Sequence, residues 1–296
     1  DVNAAGKALN YTVKEENVPE GYTLSIDDKD PAHLVLTNKH EPNVTQVQVT
    51  KKWDDANNQD GLRPKEIRVQ LYAGDQKLGK EVVLSADNKW THTFEKLAEK
   101  ANGQDIHYSV KEVDVPEGYT VTEESKEKGD VVLTNTHTPS TVDIPVTKIW
   151  LDNDNQDGLR PAKITVKLLA NGGEVARKDI TSETDWKETF TGLPKFKDGK
   201  EIVYTLQEEK VENYSPSIDQ ESYTITNTHT PGKTTLSVTK QWDDQEDKDG
   251  LRPKSVKVQL YADGKKSGEV IELSAENKWT HTFADLDKNV KGKAIT

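Results

Sequence analysis

Cysteine is missing altogether, and so is methionine. Without cysteine there can be no disulfide, no thiolate metal site and no cysteine nucleophile. Aromatic residues are sparse, at 6% of 296 positions with only four phenylalanines, and hydrophobic residues of all kinds reach 32%. No apolar run approaches the ~20 residues that a membrane-spanning helix needs. So little apolar material predicts several small, thin cores in place of one large one. Positive charge is in deficit: 40 Lys+Arg stand against 52 Asp+Glu, for a formal net charge of −12. That argues against nucleic acid or an anionic membrane as partner. The chain opens Asp-Val-Asn, without a methionine, signal peptide or sorting signal, and the expectation is a slice of something longer.

What is present is repetition. VTKKWDDANNQDGLRP begins at Val49, VTKIWLDNDNQDGLRP at Val146 and VTKQWDDQEDKDGLRP at Val238. A second marker, Tyr-x-Val/Leu-x-Glu, ends at Glu15, Glu112 and Glu208, and a third, Thr-Asn-x-His-x-Pro, carries Asn38, Asn135 and Asn227. The order of the markers predicts complete repeats over 43–139 and 140–231. They are flanked by the C-terminal part of a repeat (1–42) and the N-terminal part of another (232–296). The joints EPNVT, TPSTV and TPGKT read as tight linkers. Period-two alternation, as in Ile67-Val69-Leu71, marks half-buried strands. Turn signals such as AGD, ADN and VPEGY separate them. The expected fold is all-β: tandem Ig-like sandwiches of about seven strands each, in an elongated array. One connection, LAEKANGQ, has room for a helical turn.

Residues of equal parity on a strand share a face. Val47, Val49, Lys51 and Trp53 do so, as do Ile144, Val146, Lys148 and Trp150, and Leu236, Val238, Lys240 and Trp242. A lysine therefore sits three times on an apolar face, where lysine is almost never found unpartnered. The same parity places Glu112 with Ile106, Tyr108 and Val110, Glu208 with Ile202, Tyr204 and Leu206, and Glu15 with Leu9, Tyr11 and Val13. It places Asn135 with Val131 and Leu133, Asn227 with Tyr223 and Ile225, and Asn38 with Leu34 and Leu36. Each complete repeat thus buries one lysine, one glutamate and one asparagine. A buried ion pair is one reading, costly in desolvation. A covalent one is the second. Burial lowers a lysine pKa and raises a glutamate pKa, so a neutral amine can attack the asparagine carbonyl with the glutamate shuttling protons. The residues alone leave these two open. An enzyme acting on outside substrates is a third reading, but no nucleophile triad, metal cluster or phosphate loop supports it.

The text VTK-x-W, QDGLRP, YSVKEVDVPEGY and LTNTHTP resembles the B-type repeats of the collagen adhesin Cna (CnaB-type domains) of Gram-positive surface adhesins and pilins. The resemblance covers essentially the whole chain. It implies a reverse Ig-like sandwich closed by a self-formed Lys–Asn isopeptide bond beside a catalytic acid. Carried over by position, the cross-links are Lys51 to Asn135 with Glu112, and Lys148 to Asn227 with Glu208. The part-repeats hold Glu15 and Asn38 at one end and Lys240 at the other. The second repeat departs from the pattern with KVENY in place of VPEGY, which alters a turn but not the trio. The implied role is a structural stalk on the outside of a Gram-positive cell wall, projecting a head that meets a host matrix ligand. It needs no cofactor and is not an enzyme beyond one self-directed turnover. The rivals are a sandwich that itself grips a host ligand and a polymerising pilin shaft.

Other signals weigh less. Asp152–Gly158 invites a calcium loop, but Ile164 stands where an EF-hand needs a bidentate Glu. An acidic turn is expected instead, with Asp157 paired to Arg160. His40, His137 and His229 read as strand-end packing, with pH sensing the alternative, and the six tryptophans as core. GKAIT at the C-terminus aligns with GKALN near the start, so one end supplies what the other lacks. A window cut from a longer array explains this, and so does head-to-tail complementation in which Lys240 of one molecule meets Asn38 and Glu15 of another.

Overall fold

The computed structural model describes residues 5, 6, 9–126 and 129–296, in two compact units, Asp1–Pro139 and Ser140–Thr296. Lys7 and Ala8 of GKALN lie outside the described residues.

In the first unit, a four-stranded sheet runs in the order Thr120–Ser125, Val131–Thr136, Val44–Asp54, Thr91–Ala98. A three-stranded sheet runs Gln76–Ser85, Glu66–Ala73, Tyr108–Glu112. Alternation along each strand decides which side is dry. On Val44–Asp54, Val47, Val49 and Lys51 are buried while Gln46, Gln48 and Lys52 face water. The core between the sheets joins Val47, Val49, Val131 and Leu133 from one to Ile67, Val69, Leu71, Leu84 and Val110 from the other. Apart from this sandwich the unit carries a hairpin, Thr23–Asp27 with Val35–Lys39.

The second unit repeats the plan. Its sheets run Lys187–Pro194, Thr141–Leu151, Thr224–Thr228, Ser215–Asp219 and Gly173–Thr181, Lys163–Ala170, Tyr204–Glu208. It then adds three antiparallel strand pairs: Lys233–Thr239 with Thr280–Asp287, and the hairpins Ser255–Ala262 with Lys265–Ser274 and Asn289–Val290 with Lys293–Ala294.

Two features of this topology position the site. The first and last strands of each complete sandwich are hydrogen-bonded parallel neighbours, with Lys51 opposite Leu133 and Trp53 opposite Asn135. The same register recurs as Lys148 opposite Ile225 and Trp150 opposite Asn227. Lysine and asparagine therefore share a face, one pleat apart. The acid arrives from the facing sheet, where Glu112 pairs with Val69 and Glu208 with Val166.

The connection LAEKANGQ, which has room for a helical turn, holds none. Thr91–Ala98 runs on as strand, and a small hairpin follows, Lys100–Ala101 with Gln104–Asp105. Asn102 and Gly103 both have positive φ, 51° and 81°, which is the two-residue turn that matches strand twist. The helical turn lies earlier, at Ala86–Asn88, with counterparts at Ser182–Thr184 and Ala275–Asn277. Two left-handed residues follow each, the second always tryptophan: Trp90, Trp186 and Trp279, at φ 59°, 57° and 56°. That conformation is unfavourable for a bulky residue. It is held by two contacts. The Trp90 carbonyl accepts from the Lys51 N–H at 2.8 Å, and the ring meets Trp53 edge-on at 5.3 Å.

Candidate functional site: a buried lysine, glutamate and asparagine

Lys51 reaches the interior because its strand leaves it no other direction, and its side chain is fully enclosed, as is that of Glu112. The Lys51 ammonium stands 3.8 Å from Glu112 Oε2. It donates to the Lys52 carbonyl at 2.9 Å and lies 4.2 Å over the Trp53 ring. Asn135, with no exposed surface, donates through Nδ2 to Glu112 Oε1 at 2.9 Å. Glu112 therefore touches both the amine and the amide. Asn135 Oδ1 and Glu112 Oε2 are left without a hydrogen-bond partner, a costly arrangement for enclosed polar atoms.

Burial sets the charge states. It pushes the Lys51 ammonium down to about 8, against the attraction of Glu112. It pushes the Glu112 carboxyl up, against the Asn135 hydrogen bond and the Lys51 charge. Both shifts favour the pair in which amine and acid are neutral. At neutral pH roughly a tenth of such a lysine is free amine, compared with well under a thousandth of an ordinary one. A neutral Glu112 also has a proton to offer, and Asn135 Oδ1 is an acceptor without a donor.

The second repeat builds the same constellation from different neighbours. Lys148 Nζ is 3.4 Å from Glu208 Oε1, and Asn227 Nδ2 donates to that oxygen at 3.2 Å. Lys148 lies 4.4 Å over the Trp150 ring, burial again brings it down to about 8, and Asn227 Oδ1 is again unpartnered.

A family model described as "Cna protein B-type domain" matches residues 1–39, 47–136, 144–228 and 236–296. The chain belongs to the Cna B-type domain family. A collagen adhesin of Staphylococcus aureus is 46% identical over 290 residues, which is 98% of this chain and 24% of the adhesin. This chain thus spans about a quarter of that relative's length. The crystal structure of two B repeat units (B1B2) of the collagen binding protein of S. aureus matches with 45% identity and a TM-score of 0.61, covering all of this chain and 77% of that one.

Behind the tryptophan of each B-type repeat lies a network that the sequence reading did not assemble. Asp152 takes a two-point hydrogen bond from Arg160, at 3.0 Å from Nε and 2.6 Å from Nη2. It also accepts from the Tyr214 hydroxyl at 2.8 Å and from the Asn155 N–H at 2.9 Å. Asp55, Arg63 and Tyr119 form the same set, and Asp244 with Arg252 repeats the ion pair. The expected Asp157–Arg160 pair is thus corrected to Asp152–Arg160. Left-handed Asn153, Asp154 and Asn155 curl the turn back until Asp152 faces the guanidinium. The available signal was an aspartate two residues after the tryptophan in all three copies, together with the tyrosine shared by VPEGY and KVENY. The hydroxyls of Tyr119 and Tyr214 bond Asp55 and Asp152 at the same 2.8 Å.

Asp157 turns instead to His229, whose Nε2 is 2.9 Å from Oδ2 while Nδ1 is 2.9 Å from the Asn213 carbonyl. His137 lies likewise between Asp60 at 3.0 Å and the Gly118 carbonyl at 2.7 Å. Each ring nitrogen faces an oxygen, so only the doubly protonated ring satisfies both. The hydrogen bonds that His137 and His229 donate to Asp60 and Asp157 raise both histidines. A raised histidine pKa adds stability that is complete below the unfolded value of ~6.5 and fades as pH rises through the folded one. NMR titration is therefore expected to find both midpoints above 6.5, and Asp60→Asn and Asp157→Asn to lower them; unshifted parent midpoints would contradict the geometry.

In the part-repeats, Asn38 Nδ2 donates to both Glu15 oxygens, at 2.8 and 3.0 Å, but in the open. Leu9, Tyr11 and Val13 are exposed and form no strand, so the face expected to bury Glu15 is not built. In the complete repeat the matching strand leans on Glu66–Ala73; among the described residues of 1–42 there is no counterpart of that strand. Lys240 bonds the Gln241 carbonyl at 2.9 Å and covers Trp242 at 4.3 Å. Its strand stops at Thr239, whereas its equivalent in the first complete repeat runs on to Asp54 beside a last strand.

Proposed function

We propose that the chain is a length of stalk from an extracellular adhesin on a Gram-positive cell wall, built from B-type repeats over 43–139 and 140–231 with part-repeats over 1–42 and 232–296. We further propose that each complete repeat closes itself with one amide bond. Its role is mechanical: to project a ligand-binding head carried elsewhere in the parent protein. The lone pair of neutral Lys51 Nζ attacks Asn135 Cγ, while Glu112 donates a proton toward Oδ1. The tetrahedral centre then collapses: Glu112 relays a proton from the lysine nitrogen to the departing Nδ2, the Oδ1 proton returns to Glu112, and ammonia leaves. Lysine amine plus asparagine amide become one secondary amide and one ammonia, with no outside reagent. Lys148, Glu208 and Asn227 follow the same course. The product is uncharged, so the desolvation cost of the buried lysine disappears. The observation that supports this reading is that a single enclosed carboxyl touches both reacting groups in each repeat. Lys240, with Glu15 and Asn38 supplied by an adjacent repeat or a second molecule, would extend the same chemistry to the part-repeats.

Pulling on the termini tests the mechanical role. A bond between first and last strands carries the load past everything between them, so force spectroscopy on the chain is expected to release none of the length between Lys51 and Asn135 or between Lys148 and Asn227. Stepwise release of that length at ordinary sandwich forces would refute it.

A further inference from the structure

The Asp-Gly turn and the Thr-Asn-x-His-x-Pro marker are strong in the sequence, yet the cross-linking chemistry uses only the asparagine. Within the second unit they come together where the complete repeat meets the segment that follows it. Asp157 Oδ2 accepts from the Gly232 N–H at 2.9 Å and faces His229 Nε2 at 2.9 Å. Asp157 Oδ1 accepts from Asn289 Nδ2 at 3.1 Å. One carboxylate thus holds the end of its own repeat, the linker, and the hairpin Asn289–Ala294 of the next repeat. The Gly292 N–H donates to the Gln156 carbonyl at 3.0 Å. A Cβ on Gly158 would stand 2.5 Å from Gly292 Cα, and one on Gly292 would stand 3.0 Å from Gly158 Cα. Both glycines also have positive φ, 68° and 75°. Two backbones this close leave no room for a side chain on either.

We propose that this is a purpose-built joint: the Asp157–Gly158 turn is the docking surface for the glycine hairpin of the next B-type repeat, and Asp157 is the positioning residue that locks the two in one orientation. A linker of Thr230, Pro231 and Gly232 would otherwise leave neighbouring sandwiches free to swing, the default for domains that share little surface. Tying hairpin, linker and last strand to one carboxylate removes that freedom. The joint does not depend on the cross-link, and either can stand without the other.

The absence of cysteine makes the test clean, because two introduced cysteines are the only labelling sites. Nitroxides at Glu183→Cys and Glu276→Cys, both on exposed 3-10 turns, report the distance across the joint by pulsed electron resonance. A single narrow distribution is expected for the parent. Asp157→Ala and Gly292→Val are each expected to broaden it about twofold or more, as for unrestrained neighbours. Asn289→Ala removes one bond across the joint without touching a glycine, and a smaller broadening is expected. Gly264→Val controls for backbone strain: its φ is +76° but nothing lies within 4 Å, so the parental width should remain. A parent distribution already broad, or Asp157→Ala, Gly292→Val and Asn289→Ala all as narrow as Gly264→Val, would overturn the joint.

Discussion

Glu112→Ala is expected to leave the first complete repeat uncross-linked and to cost it most of its stability. Two losses combine. Without the acid, the Lys51 amine keeps its nucleophile but loses the group that takes and returns protons, so Asn135 retains its amide. The Lys51 amine, left free and fully enclosed, also lacks the carboxylate that faces it at 3.8 Å, and a buried charge left without its partner costs about 3–5 kcal/mol. Loss of a tie that closes the loop of about 85 residues from Lys51 to Asn135 adds about 4–5 kcal/mol on the chain-entropy account. Glu112→Gln separates the two effects, since it keeps the shape and a hydrogen bond to Asn135 but cannot shuttle protons. Thermal unfolding should show the Asn135 side of the repeat opening tens of degrees earlier in both variants, with Glu112→Ala the lower. Unchanged melting in Glu112→Gln would mean that the carboxyl acts only as a structural acceptor.

Asp152→Ala is expected to cost about half as much, by a different route. Its carboxylate is 2% exposed as a residue and organises Arg160, Tyr214 and the Asn155 N–H. Removal strands a guanidinium beside Trp150 and a tyrosine hydroxyl in the interior, so about 3–5 kcal/mol should be lost. The same network governs acid stability. Burial alone would raise the carboxyls of Asp55 and Asp152, but the hydrogen bonds from Arg63 or Arg160, from the turn N–H and from the tyrosine outweigh it and hold both at about 2. A depressed carboxyl stabilises above its unfolded value of ~3.9 and loses that contribution as pH falls through the folded one. Both repeats should therefore keep this contribution down to about pH 4 and shed it between there and pH 2. A loss under about 1 kcal/mol in Asp152→Ala, by denaturant titration, would show the network to be ornamental.

The trio was legible because burial follows parity. Once Val47 and Val49 face inward, Lys51 must follow them, and the same holds for Glu112 after Val110 and Asn135 after Leu133. No knowledge of the sheet order was needed. What parity does not supply is the pairing of strands. The parallel register that sets Lys51 one pleat from Asn135, and the approach of Glu112 from the other sheet, come from how the strands are connected in space. The Asp152–Arg160 pair was missed for a local reason, since left-handed backbone at Asn153, Asp154 and Asn155 breaks the periodicity on which the reading relied. Residues 9–15 mislead in the opposite sense. Their alternation is that of a buried strand, but alternation only describes what a strand buries when a facing sheet exists.

The central claim is that the buried lysines and asparagines of the two complete repeats are covalently joined. The intact mass of the purified chain, measured under denaturing conditions, tests it most directly. The account predicts a mass lower than that of the sequence by two molecules of ammonia, with one regained in Glu112→Ala and one in Glu208→Ala. A mass equal to that of the unmodified sequence would contradict it and leave two buried ion pairs in place of two bonds.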